Sequence, residues 1–183
     1  MNILILYGTV EGQTTKISER MADIIRSKGL QATTQCGSQL PTDFSINDFD
    51  AIIVGGSIHM GDYPAYLKKF VTTHSDWLNN VASAFFTVCM AIYSQRETSR
   101  EEAKRFGEDF VAQAGWQPNF IETFAGAVKY TQYNFVTRFI MKLISKREGG
   151  STDTARDHEY TDWEAVVRFT DKFITEIMEL ERV

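Results

Sequence analysis

The chain has 183 residues, 43% hydrophobic and 23% charged, with a formal net charge of −5. That is long enough to bury a sizeable core, most simply in one domain over residues 1–183. No apolar run reaches the length of a membrane span, and the negative balance argues against nonspecific nucleic-acid binding. Cys36 and Cys89 have no metal spacing, and the start of the chain carries no signal-peptide pattern, so reduced thiols in a cytoplasmic protein are expected.

Ile3 to Tyr7 is a continuous apolar run, the pattern of a strand covered on both faces. It feeds Gly8-Thr9-Val10-Glu11-Gly12-Gln13-Thr14-Thr15, which opens a helix with Ile17, Met21, Ile24 and Ile25 at helical spacing and Gly29 as its cap. A turn rich in glycine and threonine at that place aims backbone N–H groups and hydroxyls at one spot, at the positive end of a helix dipole. It marks a phosphate site. Leu30 to Gln35 reads as a peripheral strand, and 36–47 as loop. Asp50 to Gly56 is a second buried strand, running into the small-residue turn Gly55 to Gly61. One helix is expected next, with Tyr66, Leu67, Phe70, Val71, Trp77 and Leu78 on one side.

Ala82 to Cys89 reads as a strand and Met90 to Gln95 as the loop after it. Thr98 with Glu101 and Ser99 with Glu102 form overlapping capping-box patterns. The helix they start turns Ala103, Phe106, Phe110 and Ala114 inward and ends at Gly115. Phe120 to Val128 is the last core strand. Thr161-Asp162-Trp163-Glu164 offers a further capping box, for a final helix burying Trp163, Val166, Val167, Phe173, Ile174 and Ile177. Strands alternating with helices predict an α/β fold: a five-stranded parallel sheet of order 2-1-3-4-5 with helices on both faces. The loops at 8–15, 55–61 and 89–95 then share the rim where such sheets bind ligands. A stretch at 129–160, about thirty residues, stands as a helical insert before the last helix, longer than ordinary connections.

The first loop has neither the Gly-Lys-Ser/Thr of a triphosphate loop nor G-x-G-x-x-G. Hydroxyls and amides without a lysine suit a monophosphate. Ile5-Leu6-Tyr7-x-Thr9-x-x-Gly12-x-Thr14 resembles the FMN-phosphate signature of the flavodoxin family, with Val10 and Ser18 as departures. Farther motifs resemble one branch, the bacterial menaquinone-dependent protoporphyrinogen IX dehydrogenases. They are Gly55-x-Ser57-Ile58-x-x-Gly61, Ala125-Gly126-Ala127, Arg138-Phe139-x-x-Lys142-Leu143-Ile144, Gly149-Gly150-x-Thr152-Asp153-Thr154 and Tyr160 to Glu164.

The resemblance implies a flavodoxin-like fold and FMN as cofactor. Thr9, Val10, Glu11, Gly12 and Gln13 would wrap the phosphate, with Thr14 adding a hydroxyl and Glu11 turned away. Phe85, Thr87, Val88, Cys89, Met90 and Ala91 would line the isoalloxazine and ribityl, and Thr154 would close the site. Sheet topology adds Ser57, Ile58, His59 and Met60 against the ring. His59 is either a donor to flavin or substrate or an exposed loop residue; Cys89 is either a flavin neighbour or a small buried apolar residue. His74 and His158 do not cluster with His59, so no metal site is expected, and no catalytic residue stands out.

The implied reaction is oxidation of protoporphyrinogen IX to protoporphyrin IX, with electrons passing to menaquinone, in haem biosynthesis. The alternatives are a flavodoxin-like electron carrier or general quinone reductase, and a non-catalytic FMN-binding module. Lys129 to Arg147 contains five basic and no acidic residues. Within it Phe135 to Arg147 reads as an amphipathic helix. Val136, Phe139, Ile140, Leu143 and Ile144 form its stripe, opposite Arg138, Lys142, Ser145 and Lys146. Three uses are open: peripheral contact with the cytoplasmic face of the inner membrane, contact with a tetrapyrrole, or packing on the domain or a second subunit.

Overall fold

The apolar runs of the sequence become strands of one parallel sheet. The computed structural model describes residues 1–147 and 149–180. Strands β1 (Asn2–Gly8), β2 (Gln31–Cys36), β3 (Ala51–Ser57), β4 (Ala82–Val88) and β5 (Phe120–Phe124) pair in the order β2-β1-β3-β4-β5, as the alternation of elements predicts. The register runs Tyr7↔Gly55↔Phe86↔Glu122 across four strands. Two short strands, β6 (Ala127–Val128) and β7 (His158–Glu159), form a separate antiparallel pair at the two ends of the insert.

Residues alternate between the two faces of the sheet. Ile3, Ile5, Ile53, Ala84 and Phe86 pack under α1 (Gln13–Ser27) and α6 (Trp163–Leu180). Leu4, Leu6, Ile52, Val54 and Phe85 face α2 (Ala65–Thr73), α3 (Ser75–Asn80) and α4 (Glu97–Gln113). Edge-on rings fill the thick parts: Phe86 beside Phe169, and Phe85 beside Tyr63 and Trp116. Trp116 Nε1–H donates to Ser83 Oγ at 3.0 Å, which satisfies the one polar atom of that fully buried ring. Gly55 is demanded by this packing, since a Cβ there would lie 2.1 Å from Phe86 Cζ.

Four local expectations change. The helix expected over 66–78 is two helices, α2 and α3, meeting at His74. Thr72 and Ser75 hydroxyls bond to Lys68 O and Thr72 O there, an alternative to the helical ladder. The run Phe120 to Val128 splits, because after Phe124 the chain leaves the sheet at Ala125-Gly126 to pair β6 with β7. Neither capping box forms at α4, which starts at Glu97 with no side-chain cap; Ser94 Oγ takes the Arg96 N–H instead, and Ser99 is buried within the helix. At α6 the cap is Asp162, whose Oδ1 accepts the Ala165 N–H at 3.0 Å, while Thr161 is drawn elsewhere. Gly29 and Gly115 do end their helices with left-handed backbone, each followed by the backbone bonds of a Schellman turn.

The insert is a folded element. After β6 comes a short helical turn, Tyr130–Gln132, and then α5 (Phe135–Arg147). Tyr130 is fully buried and donates to Ser151 O at 2.9 Å; the Ser151 N–H donates to Tyr160 Oη at 2.6 Å. Arg138 donates to Tyr130 O and Tyr133 O. It is therefore a strut between turn and helix, not a member of an exposed basic face. Ser145, expected on that face, is also buried.

Candidate functional site

A cleft of about 540 Å³ lies at the carboxyl ends of β1, β3 and β4. Its walls are the three loops after those strands, and its roof is one side of α5: Thr137, Ile140, Met141 and Ile144. This is the switch point of the sheet, where the chain order reverses between β1 and β3.

The loop after β1 forms the cleft's polar end. Gly12 takes left-handed backbone, φ 82°, and its N–H donates to Thr9 Oγ1 at 2.9 Å. The Thr9 N–H donates to Tyr66 Oη at 3.2 Å, so a tyrosine of α2 shapes the loop from behind. Burial raises the Tyr66 pKa and keeps the phenol protonated. Thr14 and Gln13 are buried in the first turn of α1, and both line the cleft. Thr14 Oγ1 and Gln13 Oε1 have no hydrogen-bond partner within the protein. Gln13 Nε2 is held by Thr161 Oγ1, which in turn donates to Ala125 O. Leaving such atoms unmatched costs about 1–3 kcal/mol each, so their alignment at one helix end signals a polar ligand.

The loop after β3 is a tight turn. His59 and Asp62 exchange backbone hydrogen bonds, at 2.9 and 3.2 Å, around Met60 and Gly61, both with positive φ. Ser57, Ile58 and His59 line the cleft, and Ser57 Oγ is a second buried hydroxyl without a protein partner. Two more unmatched hydroxyls, Ser18 and Ser145, lie outside the lining. Met60 borders the mouth with its side chain 94% exposed. After β4, Val88, Cys89, Met90 and Ala91 complete the floor, with the Cys89 N–H bonded to Phe124 O.

Thirteen of the seventeen sequence-derived positions therefore meet at one cleft. Four do not line it. Phe85 and Thr87 point into the α4 side of the sheet: Phe85 is packed among Tyr63, Phe110 and Trp116, and Thr87 Oγ1 is 2.7 Å from Tyr63 Oη. Burial pushes the Tyr63 phenol up, so that pair stays neutral. These two are corrected to core residues; strand alternation sends them away from the ligand end. Gly12 shapes the loop by its backbone, and Thr154 sits in a turn beyond the wall. Sequence reasoning missed Gly61, Gly126, Ala127, Thr137 and Met141 on the lining, and did not assign Ile140 and Ile144 to it. The spacing 137, 140, 141, 144 is helical, but α5 is apolar on more than one side, and spacing alone does not choose between them.

Glu11 is engaged by the insert: Tyr133 Oη donates to Glu11 Oε2 at 2.7 Å, and burial together with this carboxylate raises the Tyr133 pKa. Among the described residues no group of three or more His, Cys, Asp or Glu is placed to hold a metal. No helix among them is long and apolar enough to cross a membrane. On the outer side of α5, Phe135, Val136, Phe139 and Leu143 are exposed, next to Lys142 and Lys146.

A parallel sheet of this order, with a hydroxyl-rich helix end facing a cleft at its switch point, defines the flavodoxin class. Residues 4–155 match the flavodoxin domain family, and the chain belongs to it. Within it the chain is 32% identical over 169 residues to the Escherichia coli (strain K12) protein named protoporphyrinogen IX dehydrogenase [quinone], covering 92% of each. A Leishmania major protein of the same name is 30% identical over 93% of this chain and 73% of its own length. Among solved structures, oxidised flavodoxin 1 of Bacillus cereus superposes with a TM-score of 0.54 at 14% identity, over 96% of this chain and 98% of that one. An archaeal flavodoxin gives 0.54 at 13% identity over the full length of both. These two likenesses speak for the fold alone.

A flavodoxin domain implies a flavin, and the residues present fit one. The cleft is of the size of ordinary cofactor sites. Its unmatched hydroxyls and amide oxygen sit at the end of α1 and at Ser57, and its remaining walls are largely apolar.

Proposed function

We propose that the protein is an FMN-dependent dehydrogenase that oxidises protoporphyrinogen IX to protoporphyrin IX and delivers the electrons to menaquinone, in haem biosynthesis. The observation that carries this reading is the roof. Helix α5 lays Ile140, Met141 and Ile144 over the same cleft whose far end is the polar turn at Thr9 to Thr14. A carrier that meets only other proteins needs no apolar chamber beside its flavin. An enzyme for a bulky, largely apolar macrocycle and a lipid-soluble acceptor does.

In this reading the end of α1, with Thr14, Gln13 and Thr9, holds the phosphate. Ser57 offers a hydroxyl to a polar edge of the ring, and the walls at Ile58, Val88 and Ala91 exclude water. Bound FMN would supply the redox chemistry, taking electrons from the porphyrinogen two at a time and giving them to the quinone, so that the six-electron oxidation to protoporphyrin IX needs three rounds and three quinones. His59 lines the same wall; in this reading it would hold a substrate carboxylate or a ring atom.

The outer side of α5 fits peripheral contact with the cytoplasmic face of the inner membrane. It combines exposed apolar side chains with lysines, the composition that favours an anionic lipid surface. Such contact would bring quinone and porphyrinogen to the cleft without crossing bulk water. The test is turnover: FMN-loaded protein with a menaquinone analogue should generate porphyrin fluorescence from protoporphyrinogen. No porphyrin above the quinone-only rate, together with brisk electron exchange with a flavoprotein reductase, would favour the carrier instead.

A further inference from the structure

We propose that the first turn of the insert completes the phosphate site: Lys129 supplies its cation, and Tyr133 holds the Glu11 carboxylate off it. This rests on the FMN reading above and assigns roles to residues outside the phosphate loop. The loop itself poses an electrostatic problem. It contains no lysine and one glutamate, directly beside Gly12. A phosphate monoester carries a charge of about −1.5 to −2 at neutral pH, so a free carboxylate in its cradle would repel it.

The insert answers both parts. Tyr133 Oη donates to Glu11 Oε2 at 2.7 Å, and the same oxygen accepts the Lys129 N–H at 3.3 Å, which fixes the phenol between loop and insert. The Lys129 ammonium stands 3.6 Å from where a Cβ on Gly12 would lie. It is over the loop, and the missing side chain leaves it room. No ion pair among the described residues involves Lys129. The carboxylate that shares its field, Asp157, takes its hydrogen bonds from the Thr131 N–H and Oγ1 at 2.9 and 2.8 Å. A second, independent observation points to a ligand two residues on from Gly12: Thr14 Oγ1 is fully buried, lines the cleft and has no partner in the protein. The cation thus comes from a segment distant in sequence, and the element that roofs the cleft also balances its charge.

The test is titration of the full chain, stripped of flavin, with FMN and separately with riboflavin, followed by quenching of flavin fluorescence at low and raised salt. The native protein should prefer FMN. Lys129→Met should weaken FMN roughly tenfold to a hundredfold and flatten its salt dependence, with riboflavin unchanged. Lys129→Arg should keep most of the preference. Tyr133→Phe should weaken FMN alone, and adding Glu11→Gln should restore it. If Lys129→Met keeps the native ratio of FMN to riboflavin affinity, the proposal is overturned while the FMN reading stands. Equal loss of both flavins would overturn it too, since the residue would then support the fold and not contact the phosphate. A native protein that binds riboflavin as tightly as FMN would instead sink the FMN reading.

Discussion

Replacing Phe139 and Leu143 of α5 by serine isolates the outer side of the roof from its inner side. Phe139 and Leu143 are 59% and 53% exposed, so truncating them removes little of the folded packing. Ile140, Met141 and Ile144, which line the cleft, stay in place. Burying a whole side chain of this kind contributes about 1.5–3 kcal/mol. With roughly half of each already covered, lipid would take up the remainder for about 1–1.5 kcal/mol each, or about 2–3 kcal/mol for the pair. That is roughly a 30- to 150-fold loss in partition. Phe135 and Val136, 84% and 65% exposed, remain, so binding should weaken without vanishing. Cosedimentation with vesicles containing anionic lipid measures the partition, and thermal unfolding checks the fold. Unchanged partition in a folded variant would refute the membrane argument. If light scattering then found a native dimer and a monomeric variant, the outer side would belong to a second copy of the chain.

Gly55→Ala forces a methyl into the Phe86 ring and should destabilise by about 1–3 kcal/mol or more in urea unfolding, with Phe86→Leu relieving part of it. Additive effects of the two changes would refute that contact. Asp162→Ala removes the cap of α6 and should cost about 1 kcal/mol, measured the same way. Glu159 links α1 to α6 through Lys16 Nζ and Trp163 Nε1, both at 2.9 Å. Burial pushes its pKa up, but hydrogen bonds from Lys16, Gln13 and Trp163 outweigh that, and the net value is lowered. Its stabilisation is therefore present above the ordinary carboxylate value of 4.5 and is lost as pH falls through the lower folded value. The stability gap between native protein and Glu159→Gln should shrink in that acid window; a gap constant with pH would contradict the latch.

Much of this fold is legible in the chain because its signals are local and agree with one another. Ile3 to Leu6 and Ala51 to Val54 are unbroken apolar runs, and each ends in a glycine turn, so strand, loop and helix can be placed without knowing their neighbours. The capping errors have the opposite cause. Thr98, Ser99 and Thr161 carry the right pattern, but Ser94 holds the chain ahead of α4, and Thr161 is recruited by Gln13 and Ala125, partners far away in sequence. The resemblance puts Phe85 and Thr87 near the ligand, while their faces are set by the pleat and by Tyr63 packed on the same side of the sheet. Lys129 and Tyr133 were out of reach for the same reason. Nothing near Gly12 in sequence announces that a residue more than a hundred positions later hangs over it.

The central claim is that one cleft serves both halves of a redox cycle, and anaerobic half-reactions test it most directly. FMN-loaded protein is mixed with protoporphyrinogen IX under argon, and the flavin absorbance is followed; a menaquinone analogue is then added. The flavin band should bleach, with no more than one protoporphyrin formed per three flavins reduced, and adding quinone should restore the band fully while protoporphyrin absorbance goes on rising. Flavin that stays oxidised under excess protoporphyrinogen, yet bleaches with a flavoprotein reductase and reoxidises with quinone, would contradict it.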